Sequence, residues 1–293
     1  MNKRIKKTLG KIPYTAEFYW WLRGTGKPPV SGYSMEKLQA HLPAWVTQAQ
    51  TLQQPYNGKK VLIFSMLPYW IEQTSMLALA LAAIGYDVSL AYLPYAHWKK
   101  PVARFDARRQ NVYMREVLKP LEMQLNVTPL LDAARVNTLP EDLAAQIPAA
   151  AYRDVQYSLL REDVDDDSDI YHLRMERNRT HAGAMLRLLQ TQRPDVVIVP
   201  NGSILEFGIT FKVAQQLGIQ TVTYEFGEQS ERLWLAQNAD VMRQETDHLW
   251  GACNEIPFRR GVDSGQRFLF NPAGRRLMGE FLPQLAGHCF PGR

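Results

Sequence analysis

The stretch from 193 to 229, RPDVVIVPNGSILEFGITFKVAQQLGIQTVTYEFGEQ, decides the fold of this chain. Val196, Val197, Ile198 and Val199 form a β-branched run without polar alternation, the pattern of a strand buried on both faces in a parallel sheet. Pro200, Asn201 and Gly202 interrupt it. Ser203 and Glu206 stand at the S-x-x-E spacing of a capping box, which predicts a helix starting at Ser203. Ile204, Phe207, Phe211, Ala214 and Leu217 recur at helical spacing, and Gly218 closes the helix. A second β-rich run covers 219–224 and ends at Glu225, Phe226, Gly227 and Glu228. Strand, helix and strand make one β-α-β unit whose strand-end loops open on the same edge of the sheet. In open α/β sheets, ligands bind at that edge.

A similar unit stands earlier. Val61, Leu62, Ile63 and Phe64 read as a buried strand, 65–69 as a loop, 70–84 as an apolar helix capped by Gly85, and 88–92 as the next strand. A loop rich in aromatic residues and proline covers 93–104. Helices are predicted over 106–120, over 142–149, and from a cap at Ser168 to 192, with a third strand over 125–131. The expected fold class is α/β: a Rossmann-like three-layer sandwich with a mainly parallel sheet over 58–250, carrying an N-terminal helical appendage. That appendage, residues 1–57, holds a basic amphipathic turn, an aromatic cluster and a helix over 35–50. Residues 251–293 read as an irregular or helical tail, with one candidate helix over 275–285.

A hydrophobic content of 46% with 22% charged residues suits a globular protein. Cys253 and Cys289 are the only cysteines, so no disulfide framework is implied and a cytoplasmic location is expected. The longest apolar run, 76–84, falls far short of the roughly 18–20 residues a spanning helix needs. Residues 1–12 carry charge with no apolar stretch behind it, unlike a secretory signal. The net charge of +5 is a local property: seven basic residues against Glu17 put +6 in the first 31 residues and leave −1 elsewhere. With no broad basic face, nucleic acid is not an expected partner.

Several chemistries find no motif. The loop after the first strand, Ser65-Met66-Leu67-Pro68-Tyr69-Trp70, holds no glycine with which to wrap a pyrophosphate, and no P-loop occurs, so no cofactor is expected. An EF-hand starting at Asp163 would place Ser168 and Arg174 where glycine and glutamate are needed. Asp165 and Asp167 have D-x-D spacing, but carboxylates ahead of a helix capped by Ser168 also complement its dipole, and that reading is preferred. The six histidines show no zinc spacing, so no metal is predicted. His172 and His181, on an arginine-rich helix, read as surface residues. No G-x-S-x-G elbow supports hydrolase chemistry.

The strand-end loops hold the candidate site. Asn201, Gly202 and Ser203 precede a helix whose free N–H groups suit an anionic or hydroxyl-rich ligand. Tyr69 and Trp70 stand on the loop after the first strand and are further candidates for substrate binding. Glu225 and Glu228 are candidates for binding sugar hydroxyls or acting as general base. For Glu225 the alternative is a carboxylate that bonds backbone amides in a tight turn. His97, in the loop after the 88–92 strand, is the candidate imidazole.

The run from Lys60 into an apolar helix, followed by Gly85-Tyr86-Asp87-Val88, resembles the opening of GT-B glycosyltransferases. The block 194–225 resembles the later β-α-β unit of the same acceptor-binding domain, in the manner of bacterial surface and capsule polysaccharide transferases. The resemblance covers roughly 59–250 and rests on pattern. It implies metal-independent transfer from a nucleotide sugar to a glycan or lipid-linked acceptor. In that family a second domain holds the donor. The 43 residues after Trp250 are too few for one, so the expectation is the acceptor half alone, with a partner chain as one source of the donor domain. The alternative is a non-enzymatic Rossmann-like binding or scaffold protein.

The first 23 residues suggest a further partner. Lys3, Arg4, Lys6, Lys7 and Lys11 surround an apolar stripe of Ile5, Leu9 and Ile12, and Tyr14, Phe18, Tyr19, Trp20 and Trp21 follow. Together they predict docking on an anionic inner-membrane surface. The alternative is that the rings cap the domain's own core, and burial decides between the two.

Overall fold

The computed structural model describes residues 3–23, 29, 33–95, 97–226 and 233–243. Gly227, Glu228 and the predicted tail and its helix lie outside these residues. Six strands form one sheet: β1 (Lys60–Met66), β2 (Asp87–Leu93), β3 (Asn126–Pro129), β4 (Val196–Pro200), β5 (Gln220–Phe226) and β6 (Leu233–Gln237). Their order is β3-β2-β1-β4-β5-β6. The first five pair in parallel, and β6 adds an antiparallel edge against β5 that the sequence pattern did not predict. Among the described residues the α-helices are α1 (Lys3–Leu9), α2 (Thr15–Arg23), α3 (Glu36–Thr51), α4 (Pro68–Ala83), α5 (Arg104–Leu118), α6 (Glu141–Leu159), α7 (Asp169–Gln192) and α8 (Leu205–Gln216).

Period-two alternation sorts the central strands between two helical layers. Val61, Ile63, Val88, Leu90 and Tyr92 enter a core with Leu38 and Leu42 of α3, Leu79 of α4 and Met114 of α5. Leu62, Phe64, Met66, Ala91 and Leu93 enter the opposite core with Ile147 of α6, Met185 of α7 and Ile209 of α8. Because both faces are covered, the strands read as continuous apolar runs. The chain is thus a Rossmann-like α/β sandwich. No helix among the described residues is long and apolar enough to cross a membrane.

Helix α6 runs well past the predicted 142–149, passing through Pro148 to Leu159. Leu143, Ile147, Ala150, Ala151 and Val155 keep helical spacing across the proline and are all buried, so packing carries the helix on. Ser168 caps α7 as expected, accepting from the Tyr171 amide at 3.4 Å. Asp165 closes the turn before it: its carboxylate accepts from the Asp167 amide and its carbonyl from the Ser168 hydroxyl.

The α6–α7–α8 layer encloses a polar cluster. Arg174, with no exposed surface, donates to both oxygens of Glu206 at 2.9 and 3.4 Å and, through Nε, to Asp154 at 3.2 Å. Asn178 donates to the same Asp154 oxygen, while the other oxygen accepts the amide of Leu205, the first residue of α8. Burial alone would raise the Glu206 carboxyl, but the Arg174 guanidinium outweighs it and holds the group below its ordinary value. Asp154 is pushed up by its burial, against the pull of Arg174. The neighbouring Arg177 donates to the carbonyls of His97, Trp98 and Lys100 and lies over the Tyr95 ring, tying the loop after β2 to α7.

His181, read from sequence as a surface residue, is instead buried beside this cluster. Its ring lies 4.6 Å from that of Phe64 at a tilt of 41°, and it bonds Thr210 at 2.7 Å. The Thr210 hydroxyl donates to the Glu206 carbonyl, so it accepts from His181 Nε2, and Nδ1 is left buried without a partner. The helix is rich in arginine, but this turn of it faces inward.

Removing the Arg174 side chain leaves two carboxylates buried without their cation. R174A should therefore lose about 3–5 kcal/mol of stability in urea denaturation. A loss below 1 kcal/mol would show that the cluster does not hold the layer.

Burial pushes His181 down to about 4 from its ordinary 6.5, so the folded chain keeps it neutral where the unfolded chain protonates it. The unfolded state then binds more protons, and this contribution to stability is lost as pH falls from about 6.5 toward 4. Asp154 has the opposite sign, so the comparison with H181N isolates the histidine. Urea titrations at pH 7 and pH 5 should show the unmodified chain losing more stability than H181N, and parallel losses would rule His181 out as the source.

Candidate functional site

Helix α4 leaves β1 toward one face of the sheet, and α8 leaves β4 toward the other. The loops after these adjacent strands diverge and open a crevice at the carboxyl ends of β1 and β4, the topological switch point. Both loops are conformationally unusual. Leu67 (φ 68°), Asn201 (φ 59°) and Leu205 (φ 54°) all adopt the left-handed region that L-residues avoid. Such strain persists only where surrounding structure enforces it, and it clusters at functional sites.

Asn201 is the organising residue. Its backbone N–H donates to the Tyr224 carbonyl at 2.7 Å, joining the end of β4 to β5. Its side-chain oxygen accepts from the Ser203 and Ile204 amides, which turns Nδ2 toward Glu225, where it donates to Oε2 at 2.8 Å. The next residue must be glycine: a Cβ on Gly202 would lie 2.4 Å from the Thr223 methyl, and the backbone there has φ 79°.

The predicted capping box does not form. Helix α8 starts at Leu205, two residues beyond Ser203, and its N-cap position is Ile204 without a side-chain cap. Glu206, expected to reach back to Ser203, turns inward to Arg174. Ser203 is nearly buried, and its hydroxyl accepts from Arg153 at 3.3 Å. The amides of Ser203, Ile204 and Leu205 are taken by Asn201 and Asp154. Of the N–H groups expected there for an anion, those of residues 203 to 205 are thus occupied by the protein's own oxygens.

A cluster of rings joins the start of α4 to the end of β5. Trp70 lies 5.3 Å from Tyr69, 5.7 Å from both Tyr224 and Phe226, and 6.0 Å from Phe207. Tyr69 also meets Phe226 at 5.9 Å. Edge-to-face pairs of this kind each contribute about 0.5–1.5 kcal/mol beyond area burial, so the platform is a rigid one. Tyr69 is exposed, and Trp70, Phe226 and Glu225 are half-buried. Tyr224 forms the floor, where burial, then Glu225 and Tyr69, pushes its hydroxyl well above the ordinary range.

The structure joins Asn201, Gly202, Ser203 and Glu225 in one hydrogen-bonded turn, and Tyr69 and Trp70 in one ring cluster with Tyr224 and Phe226. Glu225 stands between Tyr224 and Phe226 on β5, so strand alternation turns its side chain to the opposite face from those two rings. Glu225 also accepts the amide of Phe226 through Oε1 at 3.1 Å, the bond of a turn-stabilising carboxylate. His97 is placed apart: its imidazole is exposed, its carbonyl is held by Arg177, and among the described residues no hydrogen bond joins it to Glu225 or Asn201. Glu228 lies outside the described residues. The sequence reading missed Phe226, Arg153 and Asp154. Phe226 was visible as an aromatic ending a strand. Asp154 reaches α8 across 51 residues of sequence, and no local pattern announces it. At the opposite edge, where the strands begin, a groove of about 360 Å³ is lined by Lys60, Asp87, Ser89, Asn126, Gln192 and Pro194. It holds none of the candidate residues.

No protein-family model matches the chain, and no curated protein does. Among solved structures it is similar to a CDPS from Fluoribacter dumoffii, at 11% identity and TM-score 0.41 over 59% of this chain and 93% of that one. It is also similar to a tyrosyl-tRNA synthetase complexed with L-tyrosine from Archaeoglobus fulgidus, at 10% identity and TM-score 0.34 over 64% and 62%. A third likeness is to a pantothenate synthetase from Thermus thermophilus, at 14% identity and TM-score 0.29 over 80% of each chain. None of the three is described as a glycosyltransferase, and at these scores the architecture rests on the strand order alone.

Proposed function

We propose that the chain is the acceptor-binding half of a metal-independent glycosyltransferase of surface-polysaccharide synthesis. One observation carries this reading: the Asn201–Glu225 pair and the Tyr69–Trp70–Phe226 rings both stand where the parallel strands end, around the β1–β4 switch point. A sugar ring presents a face of C–H bonds and a rim of hydroxyls. The aromatic rings suit the face, and an oriented amide and carboxylate suit the rim.

In the transfer, the acceptor oxygen bonds to the anomeric carbon and the bond from that carbon to the diphosphate oxygen breaks. The hydroxyl proton passes to Glu225. The nucleotide sugar and the groups that hold its diphosphate belong to a second domain or a partner chain. A lipid-linked acceptor would bring the reaction to the cytoplasmic face of the inner membrane. The non-enzymatic reading, a binding or scaffold domain, draws on the two hydrogen bonds that Glu225 already accepts.

A calorimetric screen of the chain against oligosaccharides, lipid-linked acceptors and nucleotide sugars tests the proposal. An acceptor saccharide should bind, and W70A should weaken it about tenfold or more. With a donor half supplied, E225Q should keep binding and lose about 10²–10⁴-fold in transfer. Binding without any effect of E225Q on transfer favours the scaffold reading. Robust turnover of a nucleotide sugar by the purified chain alone would overturn the division into halves.

A further inference from the structure

The N-terminal helices sort their side chains by face. Toward α5, Lys6 pairs with Asp106 at 2.6 Å, Glu17 with Arg108 at 2.6 Å, and Trp20 Nε1 donates to Glu116 at 2.8 Å. Arg108 also donates to the Ile12 carbonyl, and Ala16 and Trp20 are buried. Gly10 lies so close to α5 that a Cβ would stand 2.9 Å from the Phe105 nitrogen. The helix pair is therefore docked firmly, and its single carboxylate, Glu17, is committed to Arg108.

The outward face is different. Tyr14, Phe18, Trp21 and Leu22 recur at i, i+4, i+7 and i+8, and are 78%, 59%, 73% and 62% exposed. Phe18 stacks on Trp21 at 5.9 Å, so these rings form one surface. Ile5 of α1 and Ile12 of the junction are also exposed. Lys7, Lys11 and Arg23 are exposed on the same two helices and their junction. The arrangement joins an apolar patch with aromatic residues to cations and spends the lone acid inward.

We infer that this face of α1 and α2 docks on an anionic phospholipid bilayer. Tryptophan, phenylalanine and tyrosine are suited to the boundary between headgroups and acyl chains, and the cations complement the headgroup charge. Of the two sequence expectations for the aromatic cluster, Trp20 serves the core and Tyr14, Phe18 and Trp21 are left for the surface. The inference stands apart from the sugar chemistry, since neither Asn201 nor Glu225 enters it.

The test is co-sedimentation of the full chain with vesicles of phosphatidylglycerol and phosphatidylcholine, set against phosphatidylcholine alone. The chain should bind the anionic vesicles, bind the neutral ones weakly, and detach as salt rises. The double substitution F18E/W21E should lower partitioning at least tenfold. Replacing Lys7 and Lys11 by glutamine should cost about fivefold per residue. Brominated acyl chains should quench part of the tryptophan fluorescence, and W21F should remove that part while leaving partitioning nearly intact. Both glutamate positions are exposed, so the thermal melt should be unchanged; should that variant not fold, the lysine and W21F variants carry the test. No binding to anionic vesicles at low salt overturns the inference, as does binding indifferent to every substitution. It is equally overturned by a concentration-dependent dimer that F18E/W21E dissociates in the absence of lipid binding, for then the face belongs to a second copy of the chain.

Discussion

Arg174 carries its charge where water does not reach, and the helical layer on one side of the sheet is arranged around that fact. A buried guanidinium is tolerated only when its donors are met, and here Glu206, Asp154 and Asn178 meet them. Those partners come from three helices, so satisfying one side chain fixes α6, α7 and α8 against one another. Asp154 extends the constraint outward, because its second oxygen takes the first amide of α8. The direction in which α8 leaves β4 is thereby set from below.

What lies above follows. With the start of α8 pinned, the chain between Pro200 and Leu205 has few ways to close, and it does so through left-handed backbone at Asn201, Gly202 and Leu205. Asn201 spends its oxygen on that turn, which leaves its amide aimed at Glu225. Leu67 makes a matching left-handed step after β1 and delivers Tyr69 and Trp70 to the facing rim. Polar pair and aromatic platform thus both rest on loops whose geometry is imposed by packing below them. Such rigidity suits recognition of a ligand whose shape is fixed, as a sugar ring's is.

Strands buried on both faces are easy to read, because nothing polar interrupts them: β1, β2, β4 and β5 were all apparent from runs such as Val196 to Val199. The edge strand β6 is short and antiparallel, and its half-exposed Leu-Trp-Leu-Ala-Gln has no such signal. Ser203 and Glu206 were misread because a capping box is a local rule, and Arg174 offers Glu206 a partner that no local rule can see. His181 failed for the same reason: an arginine-rich helix suggests solvent, yet Arg174 and Arg177 are themselves inside. The first aromatic cluster was visible as composition. Its phase, with Ala16 and Trp20 on one side and Phe18 and Trp21 on the other, was needed to say which rings face outward. Of the candidate site, the residues on β-strand ends were found because topology puts them on one edge, whereas the supporting cluster depends on contacts distant in sequence.

Arg177 grips the loop after β2 by three backbone carbonyls, those of His97, Trp98 and Lys100. A carbonyl is the same group whatever residue bears it. A loop held in this way keeps its course when its side chains are exchanged, provided the arginine stays. Residues 97–100 therefore form a stretch in which sequence can drift while shape does not. The cost of change there falls on Arg177 alone, because its loss would release three carbonyls at once.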